Sequence, residues 1–84
     1  MKNGTLLERI TVNPKVLMGK PTIRGLRISV EQILRALGSG ISEAELIREY
    51  PELEPEDFRA VHAYAADRIA EERVYLLPRP PVEA

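Results

Sequence analysis

Two stretches, Ile28-Ser29-Val30-Glu31-Gln32-Ile33-Leu34 and Ile41-Ser42-Glu43-Ala44-Glu45-Leu46, decide the fold. In each, a serine is followed three residues later by Gln32 or Glu45. The hydroxyl can accept the third helical N–H while the longer side chain reaches back to the serine's own N–H. An apolar residue precedes each serine, so Ile28 can staple onto Ile33 and Ile41 onto Leu46. These are helix starts. A third start sets Leu53 against Phe58, with Pro55 at the first helical position, where its missing N–H costs nothing. Its cap residue, Glu54, is weaker than a serine or threonine.

Apolar spacing then gives the helices their lengths. Val30, Ile33, Leu34 and Leu37 form a stripe at spacings of three and four, and Gly38 and Gly40 can end that helix. The second helix carries Leu46, Ile47 and Tyr50 and closes before Pro51. In the third, Phe58, Val61, His62, Ala65 and Ile69 share one face. The expected helices are about 30–37, 43–50 and 55–72. Upstream, Ile10-Thr11-Val12 alternates apolar and polar before the Asn13-Pro14 turn. Thr22-Ile23-Arg24 and Leu26-Arg27-Ile28 alternate in the same way around Gly25, which serves as a bulge or tight bend. The fold class is mainly α with a short N-terminal β unit, over 6–28, in a three-helix, helix-turn-helix-like domain spanning 1–72. Strands this short need helices to pack on or another chain to pair with. A homodimer completed at the β edges is therefore expected.

Residues 73–84 read as an extended tail, because Val74-Tyr75-Leu76-Leu77 runs straight into Pro78, Pro80 and Pro81. An apolar run of this kind, ordered only on contact with a partner, suits protein binding. Arg73, Val74, Tyr75, Leu76, Leu77 and Arg79 are the candidate partner-binding residues. The competing reading is that Val74 to Leu77 packs back on the protein's own helices or pairs with the β unit.

With 84 residues and no cysteine, the chain supports one small core without disulfides or thiolate metal sites. No long apolar stretch opens it, so a cytoplasmic location is expected. The net charge of −1 hides two poles. Residues 1–40 carry seven basic and two acidic side chains, a balance of +5, and residues 41–84 carry five basic and eleven acidic ones, a balance of −6. The basic pole suits an anionic partner, and the acidic pole suits something else or a second subunit; both also serve as ordinary solvated faces.

No constellation for catalysis is present. Gly19-Lys20-Pro21-Thr22 lacks the earlier glycine of a phosphate loop, since Pro14 holds that position. His62, the single histidine, reads as a packed or interface residue rather than a metal ligand, because zinc sites draw three or four ligands from histidine, cysteine and carboxylates. Glu71 and Glu72 are adjacent and diverge on a helix. Asp57, Asp67 and Arg68 read as helix-surface charges, and no serine sits in a nucleophile elbow. No enzyme, cofactor or metal is expected. The Ser42–Glu72 segment has a helix-turn-helix outline, but Glu54, Glu56 and Asp57 at the start of its second helix make a poor face for a polyanion. If DNA is bound, Lys15, Lys20, Arg24 and Arg27 on the β unit are the candidate contacts.

The runs Arg9-Ile10-Thr11, Asn13-Pro14, Gly19-Lys20-Pro21-Thr22-Ile23-Arg24-Gly25-Leu26-Arg27-Ile28-Ser29-Val30, Gly40-Ile41-Ser42 and Tyr50-Pro51, with Leu53, Asp57, Ala60 and Ala63-Tyr64-Ala65, resemble the domain of unknown function 433 family. These are small prokaryotic proteins, and the resemblance spans about Glu8 to Ile69. It implies an antitoxin-like, helix-turn-helix-related protein of a type II toxin–antitoxin pair that binds and neutralises a PIN-like nuclease toxin. Such nucleases hold metal ions with clustered carboxylates, so Arg73 or Arg79 could enter that acidic site. The alternative is a DNA-binding transcriptional regulator, autoregulatory in the combined case, that uses the basic β end.

Overall fold

The computed structural model describes residues 3–75. The chain runs α1 (Asn3–Leu7), β1 (Ile10–Thr11), a short 3-10 turn (Leu17–Gly19), β2 (Thr22–Ile23), α2 (Val30–Gly38), α3 (Glu43–Glu49) and α4 (Pro55–Tyr75). It is mainly helical with a two-stranded antiparallel β unit near its start, as the sequence implies. Two features differ from the expectation. A one-turn helix, α1, precedes β1 and packs against α4. The last helix also continues three residues past Glu72, to Tyr75, so the start of the expected extended tail is helical.

The β unit is small and tightly tied. Ile10 pairs with Ile23 and Thr11 with Thr22, and the two threonine hydroxyls meet at 3.1 Å. After β2 the chain reverses through Arg24 and Gly25, at φ 44° and 75°, with Leu26 N donating to Ile23 O at 2.7 Å. Two successive positive φ values are the mark of a type I′ hairpin turn, which matches the twist of the strands it joins. Gly25 is thus the tight bend and not a bulge. The returning Leu26-Arg27-Ile28 forms no second ladder: Ile28 O accepts from Ile23 N at 3.0 Å, and a single bridge joins Thr22 to Ser29. The turn is completed when Gly25 N donates to Thr11 Oγ1 at 2.9 Å.

Both serine caps form as complete capping boxes. Gln32 N donates to Ser29 Oγ at 2.9 Å, and Glu45 N to Ser42 Oγ at 3.1 Å, while the Gln32 and Glu45 side chains accept from the serine N–H groups. Gln32 Nε2 also donates to the Tyr50 hydroxyl at 3.0 Å, tying α2 to the end of α3.

The two strands, α2, α3 and α4 send side chains into a single core. Ile23, Ile28, Val30, Ile33, Leu46, Leu53, Phe58 and Val61 are buried together, with Ile10, Leu34, Leu37, Ile47, Tyr50 and Tyr64 packed around them. The stripes of α2 and α3 fall where their spacing places them. In α4 the inward face is Asp57, Phe58, Ala60 and Val61, so His62 and Ile69, expected on the packed stripe, are exposed. Each fully buried aliphatic or aromatic side chain contributes roughly 1.5–3 kcal/mol. A domain of this size has only about 4–13 kcal/mol to lose. Phe58→Ala should therefore cost about 3–5 kcal/mol and leave the chain largely unfolded near body temperature. Ser42→Ala, which removes one cap from an exposed helix end, should cost about 1 kcal/mol and lower Tm by roughly 4–8 °C. Thermal melts followed by circular dichroism measure both.

Candidate functional site

Asp57 is the third residue of α4, and it does what an acidic side chain at that position can do: its Oδ2 accepts the Glu54 N–H at 2.8 Å, closing the helix start that Glu54 alone caps poorly. It does more than cap. Arg24, held by the hairpin turn, donates Nε to Oδ1 at 3.0 Å and Nη2 to Oδ2 at 2.9 Å, the two-pronged geometry that suits a guanidinium and a carboxylate. Arg9, just before β1, donates Nη1 to Oδ1 at 2.9 Å and to Glu54 Oε1 at 2.9 Å. Arg24 Nη2 also reaches Glu52 O, at 2.6 Å. Asp57 is 1% exposed, so the reading of it as a surface charge is overturned. Four donors occupy its two oxygens, which have about four lone-pair sites between them. A carboxylate so saturated has nothing left for a metal or a substrate proton.

Burial pushes the Asp57 carboxyl upward, but the hydrogen bonds from Arg24, the Glu54 N–H and Arg9, with the Arg24 charge, outweigh it and hold the group below its ordinary value. Arg9 is held above its ordinary value by its hydrogen bonds to Glu54 and Asp57, and Arg24 by its hydrogen bond to Asp57. The same local logic applies at Glu45, which the Ser42 N–H and hydroxyl keep low.

The four cations assigned to nucleic acid do not converge. Lys15 is exposed on the turn after β1, where its N–H donates to Asn13 Oδ1. Lys20 pairs with Glu31 of α2 at 3.1 Å, and Arg24 is drawn the other way, onto Asp57 of α4. Arg27 is exposed, and among the described residues neither it nor Lys15 has a carboxylate within ion-pair distance. Of the partner-binding candidates, Arg73, Val74 and Tyr75 lie on the last turn of α4, while Leu76, Leu77 and Arg79 lie outside the described residues. His62 faces solvent, and among the described residues no group of three His, Cys, Asp or Glu side chains could hold a metal ion. Also among the described residues, no helix is long and apolar enough to cross a membrane.

A second feature was not expected from the sequence: an apolar groove of about 600 Å³ between α2 and α4, floored by Val30, Leu34, Tyr64, Ala65 and Ile69. Glu31 and Arg35 rim it on one side and Arg68 and Glu71 on the other. The apolar positions of both helices hint at it, but the spacing of Ile69 with Ala65 and Phe58 reads equally well as core.

The stability contributed by Asp57 has a defined pH window. Its folded-state value is depressed, so the contribution is complete above the unfolded value of about 3.9 and is lost as the pH falls through the folded value. Wild-type melts should therefore fall away below about pH 4, by more than those of Asp57→Asn. At pH 7 that substitution should cost on the order of 3 kcal/mol, because Arg24 loses its anion and Arg9 keeps only Glu54. Urea titrations of both proteins from pH 7 to pH 3 measure the difference, and equal slopes would show that the cluster contributes no linkage.

Comparison with known proteins agrees with this architecture. The family model described as protein of unknown function, DUF433, matches residues 10–65. A crystal structure of a DUF433 member from Anabaena variabilis superimposes with a TM-score of 0.67 at 30% sequence identity, covering 84% of this chain and 71% of that one. An uncharacterized protein, y4eO, of Sinorhizobium fredii is 31% identical over 58 residues, which is 69% of this chain. The chain spans about a quarter of that relative's length, 26%. The matched segment holds the β unit, both serine caps and Asp57, and on these grounds the chain belongs to the DUF433 family.

Proposed function

We propose that this protein is a binding module of the antitoxin type, which engages and neutralises a PIN-like nuclease in the cytoplasm through the C-terminal end of α4 and the residues that follow it. The observation that carries the reading is the change along α4: Phe58, Ala60 and Val61 are buried, whereas every residue from Ala66 to Glu71 is exposed. The helix leaves the core and leads straight into Val74-Tyr75-Leu76-Leu77, an apolar run that gains most by burial against another protein. Arg73 and Arg79 flank that run and suit the carboxylates of a metal-dependent nuclease site. A scaffold role also fits the saturation of Asp57, which leaves the one buried carboxylate among the described residues without a free lone pair.

A DNA-binding role has weaker support, resting on exposed Lys15, Lys20 and Arg27. The helix-turn-helix outline offers little, since the first turn of α4 presents Glu54 and Glu56 and turns Asp57 inward. Arg24 belongs to the scaffold in either case. Neutralising it should unfold the protein before it reports on DNA.

Two measurements separate the readings. Co-expression with a candidate PIN-like nuclease, followed by affinity purification, should give a complex in which nuclease activity is suppressed. Tyr75→Ala with Leu76→Asp and Leu77→Asp should weaken that complex at least a hundredfold without lowering Tm. A triple variant that melts like the wild type and still inhibits would remove the C-terminal end from the mechanism. In anisotropy titrations with the gene's own promoter, Lys15→Ala, Lys20→Ala and Arg27→Ala together should flatten the salt dependence of any binding.

A further inference from the structure

We propose that the α2/α4 groove is the contact surface of a symmetric homodimer, in which α4 packs antiparallel against the α4 of a second copy. The inference shares the C-terminal half of α4 with the toxin reading, and its test reads the oligomeric state with no nuclease present. It begins with an exposed apolar side chain where the helix leaves the core: Ile69 is 57% exposed beside Leu34, Tyr64 and Ala65, which line the same groove. The β unit is a poor place for a second copy to join. β1 is only two residues long, and Thr22 of β2 is already flanked by Thr11 on one side and Ser29 on the other.

Charge selects the occupant. The α4 rim of the groove carries both signs one turn apart: Arg68 and Glu71 sit 3.6 Å from each other and are largely exposed. A two-fold contact requires that if one residue meets another, the second meets the first in the symmetry mate. With antiparallel helices and the axis passing between Ile69 and Ala70, Arg68 of each copy lies at the height of Glu71 of the other, and the two Ile69 side chains lie one residue apart along the contact. The pattern is complementary to itself. A uniformly acidic or basic partner would leave one of the two charges opposed to its own sign. A stable interface of about 800 Å² per copy would take about one eighth of the 6147 Å² surface. The groove supplies the apolar centre of such a patch, and the exposed turns of α4 around Arg68 and Glu71 supply the rim.

The test uses the full chain in sedimentation equilibrium across the micromolar range. The wild type should run at twice the monomer mass of 9.5 kDa. Ile69→Glu should run as a monomer with an unchanged melt, since that side chain contributes little to the monomer's core. Arg68→Glu alone and Glu71→Arg alone should each dimerise at least tenfold more weakly, because both symmetry-related contacts become repulsive. Mixed in equal amounts, these two variants should recover the dimer: one copy then carries an acid at both positions and the other a base at both, so each contact between copies is attractive. The pair within each chain stays broken on mixing, so recovery reads the contact between copies alone. A monomeric wild type, a dimer that tolerates Ile69→Glu, or a mixture no tighter than its parts would each overturn the proposal. All are read without the nuclease, so a failure here and a failure of nuclease binding are distinguishable.

Discussion

The buried carboxylate of Asp57 holds together two parts of the molecule that could not stand separately. The β unit consists of two-residue strands, which in water are marginal at best. The start of α4 has a weak cap in Glu54. Asp57 draws one donor from the segment before β1, two from the turn after β2 and one from the backbone ahead of α4, so the β unit and the long helix acquire a single relative orientation. Burying a carboxylate costs several kcal/mol on its own, and attraction offsets this only when geometry is good and every lone pair is satisfied. Here both conditions are met, and among the described residues no buried polar side-chain atom lacks a partner. Loss of either arginine would leave negative charge in excess in a place built for neutrality.

The same interaction explains a local oddity of the backbone. Arg24 sits at φ 44°, a left-handed conformation that costs a side-chain-bearing residue about 1 kcal/mol or more. The cost is offset because the hairpin turn is the position from which a guanidinium reaches both Asp57 oxygens and Glu52 O together. A lysine in this place would keep the charge and lose the fork. The fold thereby consumes one of the four cations that the linear sequence offers to nucleic acid.

What the sequence discloses follows the range of each interaction. The two capping boxes link residues three apart, so Ser29 with Gln32 and Ser42 with Glu45 can be read directly, and so can the stripes that follow them. The family pattern is likewise written in consecutive residues. Asp57 passes for a surface charge because its partners Arg24 and Arg9 lie 33 and 48 positions away, and nothing in a helical period marks a carboxylate as buried. One hint exists: Asp57 falls next to Phe58 and four residues before Val61, on the inward face. His62 is misplaced for the opposite reason, because a stripe drawn through Phe58, Val61 and Ile69 can be widened to include it, while the packed face ends beside it. The length of α4 reads short when the prolines are taken to act early. Pro78 restricts only the residue before it, and α4 includes Arg73, Val74 and Tyr75.

α4 therefore has two physical roles along its length. Its first half is fixed by Asp57, Phe58 and Val61 and belongs to the core. Its second half carries Ile69, Arg68 and Glu71 into solvent, where an isolated helix of a few turns would be marginal by propensity alone. The covalent continuity of the helix allows the second half to exist: nucleation is accomplished within the core, and each further residue costs only propagation. A rigid first half also sets the direction in which the second half projects, so the exposed side chains beyond Ala65, Ile69 among them, are presented in a fixed orientation. Pre-organisation of that kind lowers the entropy lost on association, because the helix need not be ordered when a partner arrives. The small core and the projecting helix are thus one design, in which four hydrogen bonds to a single carboxylate determine where the exposed half of α4 points.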